Sequence, residues 1–380
     1  MFTQELIKKF SAVKTPFYYY DLEVLDKTLK AAKKETDKYG YHLHYALKAN
    51  CTPRVLETIR NTGLGADCVS GNEVQFAFEN GFDPQKIVFA GVGKSDDEIN
   101  YALDKNIFCF NCESIQELQV LNDLARAKNK IANIALRLNP NVDAYTHKYI
   151  TTGLEENKFG INAHELDIVL DLLRYKKNLK LSGLHFHIGS QITDLNPFRK
   201  LCMRVNEFIS LMEQKGIQLE HINVGGGLGI NYKEPDKDAI PDFEAYFSIF
   251  NELIRLRKGQ QLHFELGRAL VANCGSLISR VLYIKNGINT NFAILDAGMT
   301  ELIRPALYQA YHKIENLSSN AALSRYDVVG PVCESSDCFG KAVSLPETKR
   351  GDLIAIRSTG AYGEVMASNY NLREKANVVF

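Results

Sequence analysis

No surplus of charge marks this sequence: 45 lysines and arginines balance 45 aspartates and glutamates over 380 residues. A chain without a net field has no long-range attraction for nucleic acid or anionic lipid, so neither is expected as a partner. Long apolar runs are also missing. No stretch approaches the ~18 apolar residues of a membrane span, and the opening Met1-Phe2-Thr3-Gln4-Glu5-Leu6-Ile7-Lys8-Lys9 has no apolar core of signal-peptide length. The eight cysteines (51, 68, 109, 112, 202, 274, 333 and 338) are dispersed, most of them inside strand-like runs. That argues against a disulfide framework and for reduced thiols in a cytoplasmic protein. No histidine and carboxylate cluster has metal-ligand spacing, so no metal is expected. Internal repeats, low-complexity tracts and long linkers are absent as well.

What is present alternates. Extended apolar runs fall near 42–47, 64–69, 86–91, 107–111, 132–138, 181–187, 219–225 and 261–265, with stretches of 3.6-residue periodicity between them. Glu113–Asp123, Ala163–Leu173, Phe198–Lys215 and Phe243–Leu256 are examples, and another spans about 22–38. Eight strand–helix alternations predict an α/β fold, a (β/α)8 TIM barrel over residues 22–265. After Arg268 the long helices stop. Leu277–Lys285, Phe292–Leu295, Tyr326–Val332 and Asp352–Arg357 predict an all-β, barrel-like domain over 266–380. The strand-like Thr15–Asp21 is expected to join it, which assigns 1–21 to the same domain.

In such a barrel, chemistry gathers where strands end at the C-terminal face. Lys48 follows the first barrel strand in Tyr45-Ala46-Leu47-Lys48-Ala49-Asn50, and His187 ends the sixth in His185-Phe186-His187-Ile188-Gly189-Ser190. Gly225-Gly226-Gly227-Leu228-Gly229 follows the seventh, and Glu265 closes the eighth in Glu265-Leu266-Gly267-Arg268. Together these supply an imine-forming amine, a flat group to stack on a ring, backbone donors for a phosphate and a carboxylate for a ring nitrogen: the requirements of a pyridoxal phosphate site.

Each piece has a plainer reading. A lone lysine is usually a solvated charge; Lys48 differs in following an apolar strand, where partial burial would lower its pKa. The glycine run is not a dinucleotide fingerprint, because Ile230 stands where that template needs glycine. It is either an ordinary loop or a nest for an anion, to which Ser190 would add a hydroxyl. His187, and still more His185, could be packed core histidines. Glu265 on an apolar strand needs a partner, either a protonated pyridine nitrogen or Arg268. Cys109-Phe110-Asn111-Cys112 lacks a thioredoxin context and reads as structural.

The β region adds Asp296–Thr300 leading to Arg304-Pro305-Ala306-Leu307-Tyr308-Gln309-Ala310-Tyr311-His312, then Gly330–Asp337 with Cys333 and Glu334, then Gly360-Ala361-Tyr362-Gly363. Such loops often carry ligands, although singly these strings say little.

Taken in order, YALKAN, HFHIGSQI, GGGLG, DAGMTELIRPALYQAYH, GPVCESSD and GAYGEVMASNYN resemble the fold-III pyridoxal-phosphate decarboxylases, whose barrel is like that of alanine racemase. Within them the match is to those acting on meso-2,6-diaminopimelate, and it runs from about Phe17 to Tyr370. One departure stands: Leu266 occupies the place of proline in the family's E-P-G-R motif.

The resemblance implies decarboxylation to L-lysine and CO2, the last step of lysine biosynthesis. It implies Lys48 as covalent anchor of pyridoxal 5'-phosphate, His187 stacked on its ring and Glu265 at the ring nitrogen. Ser190, Gly225, Gly226, Gly227 and Gly267 would surround the phosphate, with Arg268 and Tyr362 at cofactor and substrate. It further implies Arg268, Arg304 and Tyr308 on the substrate's second carboxylate, Glu334 on its far ammonium and Cys333 as proton donor. Cys333 and Glu334 would reach a second subunit's site, which makes the expected assembly a homodimer with shared sites and the β-domain loops part of its interface.

Two other functions compete. A decarboxylase of carboxynorspermidine, ornithine or arginine should carry an acid where Arg304 stands. A protein that merely binds pyridoxal phosphate should lack the β region. Asn141–Lys158 is a lid candidate that sequence does not separate from an ordinary loop.

Overall fold

The computed structural model describes residues 2–142 and 158–380, so 143–157 of the lid candidate lie outside the described residues. It divides into two units. One holds Leu29–Gly229 and Asp242–Gly267; the other holds Met1–Thr28, Ile230–Pro241 and Arg268–Phe380. The segment 230–241 thus groups with the β-rich unit although barrel residues flank it.

In chain order β1 is Phe17–Tyr20, β2 His42–Ala46, β3 Gly65–Cys68, β4 Ile87–Phe89 and β5 Cys109–Cys112. Next come β6 Ala132–Arg137, β7 Leu179–His185, β8 His221–Asn223 and β9 Gln261–Leu266. Strands β2 to β9 close in sequence order into an eight-stranded parallel barrel, with β2 pairing β9 at the seam. Their near-continuous burial is what a sheet covered on both faces requires. Outside, the helix Phe243–Leu253 sets the rings of Phe247 and Phe250 edge-on to Phe264 of β9, each at 4.9 Å.

Nearer the strand starts the barrel is filled by imidazoles. His44 of β2 and His263 of β9 meet at 2.9 Å, His221 of β8 lies 5.1 Å from His263, and Phe108 stacks on His263 at 5.2 Å. Gly65 and Gly183 make room for them, since a Cβ at either would collide with His44 or His221 respectively. Burial pushes His44 down to about 4 and His221 to about 3.

The other unit continues with β10 Gly275–Asn286, β11 Asn291–Leu295, β12 Ile314–Asn316, β13 Leu323–Val329, β14 Cys338–Pro346, β15 Leu353–Arg357 and β16 Asn377–Val379. They form a sheet in the order β12-β15-β10-β11-β13-β14, mostly antiparallel, to which β1 adds by pairing with β10 and β16. The N-terminal strand therefore does belong to the β sheet. Long β10 is its spine. Phe10 of the helix Gln4–Ser11 seals one face against Phe17, Ile278, Leu353 and Ala355. Strands β12, β14 and β16 had no clear sequence signal: β12 and β16 are three residues long, and β14 is largely solvent-facing.

Among the described residues, no helix is long and apolar enough to cross a membrane, and no cluster of three or more His, Cys, Asp or Glu could hold a metal.

Candidate active site

Lys48 sits in a single 3-10 turn, Leu47–Ala49, directly after β2. The Tyr45 hydroxyl donates to the Asn50 carbonyl at 2.9 Å and the Asn50 side chain accepts from Thr52 N–H at 2.8 Å, bracing the turn from both ends. The amine is half-buried and donates to Asp67 Oδ2 of β3 at 2.9 Å. It does not point away into bulk water. Asp67 is buried, and its other oxygen has no protein partner among the described residues. Burial and the nearby Glu265 charge raise its pKa against the opposing pull of Lys48.

Glu265 is buried at the end of β9, and three side chains meet it. His185 Nε2 lies 2.9 Å from Oε2, while Asn111 and Asn223 each donate an amide N–H to Oε1 at 3.0 and 2.7 Å. Burial alone would raise its pKa; the charge and hydrogen bond of His185, and then the charge of Lys48, hold the carboxyl well below the usual carboxylate range. Glu265 is thus ionised and aimed. Asn111 is fixed in turn by buried Lys94, whose amine donates to the Asn111 carbonyl at 2.9 Å and to Glu117 at 2.6 Å.

The glycine run lies against this carboxylate. A Cβ on Gly226 would collide with the Glu265 carbonyl, and one on Gly225 with the Phe186 carbonyl. Gly225 (φ +69°) and Gly227 (φ +108°) both need the left-handed region, so the turn requires glycine for conformation as well as space. Asn223 reaches this turn too, accepting the Gly225 N–H at 2.9 Å. The Ser190 loop runs alongside: Ile192 N–H donates to the Gly227 carbonyl and Gly229 N–H to the Ile192 carbonyl, both at 2.9 Å. His187 borders the turn, its Nδ1 accepting the Gly189 N–H at 3.2 Å. Strand β7 ends at His185, so His187 lies two residues beyond the strand it was expected to close. Burial, then the Arg137 charge, keep its imidazole neutral. Gly267 packs its bare Cα near Ala46 and Ala49, closing the wall beside the lysine turn.

In the β-rich unit Arg268 and Arg304 are both buried. Arg268 donates to the Tyr232 hydroxyl at 2.7 Å and lies 4.8 Å from the Tyr362 ring; Arg304 lies 5.7 Å from the Tyr232 ring and 6.0 Å from that of Tyr362. Tyr308 is half-buried at the end of the short helix Arg304–Tyr308. Cys333 and Glu334 are exposed on a turn pinned by Asp337, which accepts from Val332 and Met299 N–H, each at 2.7 Å. Glu334 accepts from the Tyr370 hydroxyl at 2.6 Å and from Ser336.

Of the expected residues, Lys48, His187, Ser190, Gly225–Gly227, Glu265 and Gly267 gather in the barrel unit, and Arg268, Arg304 and Tyr362 in the other. Asp67, Asn111 and Asn223 were not among the residues expected from sequence, and His185 was expected only as a candidate core histidine. The available signal was polarity: each interrupts an apolar barrel strand near its C-terminal end, where an unpartnered polar group is costly. Cys109 and Cys112, flanking Asn111, are free and buried, with Cys109 pushed up to about 12, so neither thiol is reactive.

Residues 22–272 match the family of the pyridoxal-dependent decarboxylase pyridoxal-binding domain. The diaminopimelate decarboxylase of Bacteroides thetaiotaomicron is 60% identical over 369 residues, 97% of this chain and 96% of that one. Among solved structures, that of the Helicobacter pylori diaminopimelate decarboxylase complexed with L-lysine superposes with a TM-score of 0.91 at 40% identity, covering 98% of this chain and 93% of that one. The M. jannaschii enzyme in co-complex with L-lysine gives 0.90 at 35%, covering 99% and 88%.

Proposed function

The chain belongs to the diaminopimelate decarboxylases, carboxy-lyases of the pyridoxal-dependent class, and from that premise we propose which of its residues carry the conversion of meso-2,6-diaminopimelate to L-lysine and CO2. The supporting observation is the carboxylate of Glu265, kept ionised by His185, Asn111 and Asn223 beside a glycine turn that no Cβ could enter.

These residues fit pyridoxal phosphate. Lys48 offers a primary amine for covalent attachment, and Glu265 an anion for a protonated ring nitrogen. The flat neutral ring of His187 suits stacking. Gly225, Gly226, Gly227 and Gly267 offer unobstructed backbone and Ser190 a hydroxyl for the phosphate, with Arg268 and Tyr362 as further contacts. The cofactor, when bound, supplies an electron sink for the pair left behind when CO2 departs.

The chain's own residues do the rest. Asp67 holds the Lys48 amine at 2.9 Å and would be the group placed to take up or return its proton. Glu265 would hold the proton of the cofactor's ring nitrogen, because its own carboxyl resists protonation. Arg268 and Arg304 hold the second carboxylate of the substrate, for which the planar guanidinium fork is suited. Tyr308 assists, and Glu334 pairs with the ammonium at the same end. Cys333 delivers a proton to the reacting carbon. Cys333 and Glu334 are exposed in one chain, which accords with their serving the site of a second subunit in a homodimer.

Selectivity follows from the arginines. An amine substrate without the second carboxylate would leave buried guanidiniums without an anion, at a cost of several kcal/mol. The decisive measurement pairs CO2 release from meso-diaminopimelate, lysine, ornithine and carboxynorspermidine with borohydride reduction and peptide mapping. Turnover of the first alone, with label on Lys48, is expected. Equal turnover of the four, or label elsewhere, would sink the assignment.

A further inference from the structure

We propose that His312 is a positioning residue for substrate selectivity: as the neutral Nδ1–H tautomer it fixes the guanidinium of Arg304 for the substrate's second carboxylate. This rests on Arg304 being the carboxylate receptor proposed above.

Two neighbours with opposite needs dictate the tautomer. His312 is 2% exposed, and its Nδ1 lies 2.9 Å from the Arg357 carbonyl oxygen. A carbonyl can only accept, so Nδ1 carries the hydrogen. Its Nε2 lies 3.3 Å from Arg304 Nε, which can only donate, so Nε2 presents its lone pair. A second proton would set two N–H groups head to head beside a cation. Burial, and then the Arg304 charge, accordingly push His312 down to about 3.

The bond takes Arg304 by Nε, at the stem of the guanidinium, and so fixes the plane in which the two terminal nitrogens present their donors. Tyr232 extends the frame: its ring meets His312 edge-on at 4.9 Å while its hydroxyl accepts from Arg268 at 2.7 Å. The carbonyl behind His312 is itself anchored, because the Arg357 side chain bridges Asp236 at 2.8 Å and Glu315 at 2.6 Å. Among the described residues the groups that hold Arg304 are thus neutral, which leaves its charge for a ligand. A histidine that merely filled the core would affect stability and not the choice of ligand.

A ligand pair separates the two. Decarboxylation removes the carboxyl at the reacting end only, so L-lysine keeps the second one; 1,5-diaminopentane is lysine without it. Holoenzyme affinities for both are measured by calorimetry, with KM and kcat for meso-diaminopimelate, in wild type, H312N, H312Q and R304A. H312N keeps a donor toward the Arg357 carbonyl but falls short of Arg304; H312Q extends an amide oxygen to it.

Losing a hydrogen bond to a charged donor predicts that H312N weakens lysine, and raises KM, by about tenfold or more. Diaminopentane affinity and kcat should change less than about threefold by the same reasoning, and H312Q should recover most of the loss. Lysine affinity unchanged in H312N, or both ligands weakened alike, overturns the role. Should R304A leave lysine affinity intact, the receptor reading itself falls; should R304A weaken lysine while H312N does not, only His312 is wrongly assigned. Nitrogen-15 shifts of the wild-type holoenzyme give a check independent of any variant: an Nε2–H or doubly protonated His312 would rule the proposal out.

Discussion

Glu265 shows how one residue's environment decides its chemistry. A carboxyl this buried would ordinarily take up a proton, yet three donors from three other strands keep it charged. Glu265→Gln removes the charge while keeping the shape, and its amide would face the donors of Asn111 and Asn223. The expected outcome is retained pyridoxal phosphate absorbance with kcat lowered on the order of 100-fold, equivalent to about 3 kcal/mol of lost stabilisation. Steady-state kinetics with the absorbance spectrum checks this; unchanged kcat would remove Glu265 from the ring nitrogen. Cys333→Ala should likewise keep the cofactor's imine absorbance and lose most turnover, and full activity would transfer the protonation to another group. The pairing of these donors with Glu265 was not legible in sequence, because they lie 154, 80 and 42 positions away along the chain.

Strands β2, β8 and β9 carry a second consequence, the imidazole packing near their starts. His44 is held neutral at about 4, below its ordinary 6.5, so the unfolded chain binds the proton more readily than the folded one. Stability from this group is complete above about pH 6.5 and is lost as pH falls from there toward 4, on the order of 3 kcal/mol in full. His221, held at about 3, adds a loss of the same sign. Urea unfolding at pH 7 and pH 5 should therefore show a marked acid loss in wild type and a smaller one in His44→Gln. Equal pH slopes would show that the histidines are not the cause. Gly65→Ala, whose Cβ would strike both His44 and the Lys86 carbonyl, should destabilise the barrel by a few kcal/mol in the same measurement. The strands themselves were readable from apolar runs set between helical periods. Their imidazole filling was not, since histidine in a strand looks the same whether it faces inward or outward.

For the molecule as a whole, the proposed sharing of sites makes a quantitative prediction. If Cys333 serves the partner's site, mixing inactive Lys48→Ala and Cys333→Ala proteins should restore activity. Random pairing makes half the dimers hybrids, each with one intact site of two, for about a quarter of the wild-type rate. Mixing after subunit exchange, followed by CO2 assay, tests it; no recovery would place Cys333 in its own subunit's site. By itself the sequence determined the eight-fold strand–helix alternation, the change to β structure after Arg268, and the lysine, glycine and carboxylate that end their strands, because hydrophobic period and turn chemistry are local properties. Tertiary structure alone decided that Asp67 meets Lys48, that His185 and two asparagines hold Glu265 ionised, and that His312 grips Arg304. Those pairings depend on which distant strands become neighbours, and on burial deep enough that each polar group must find a partner.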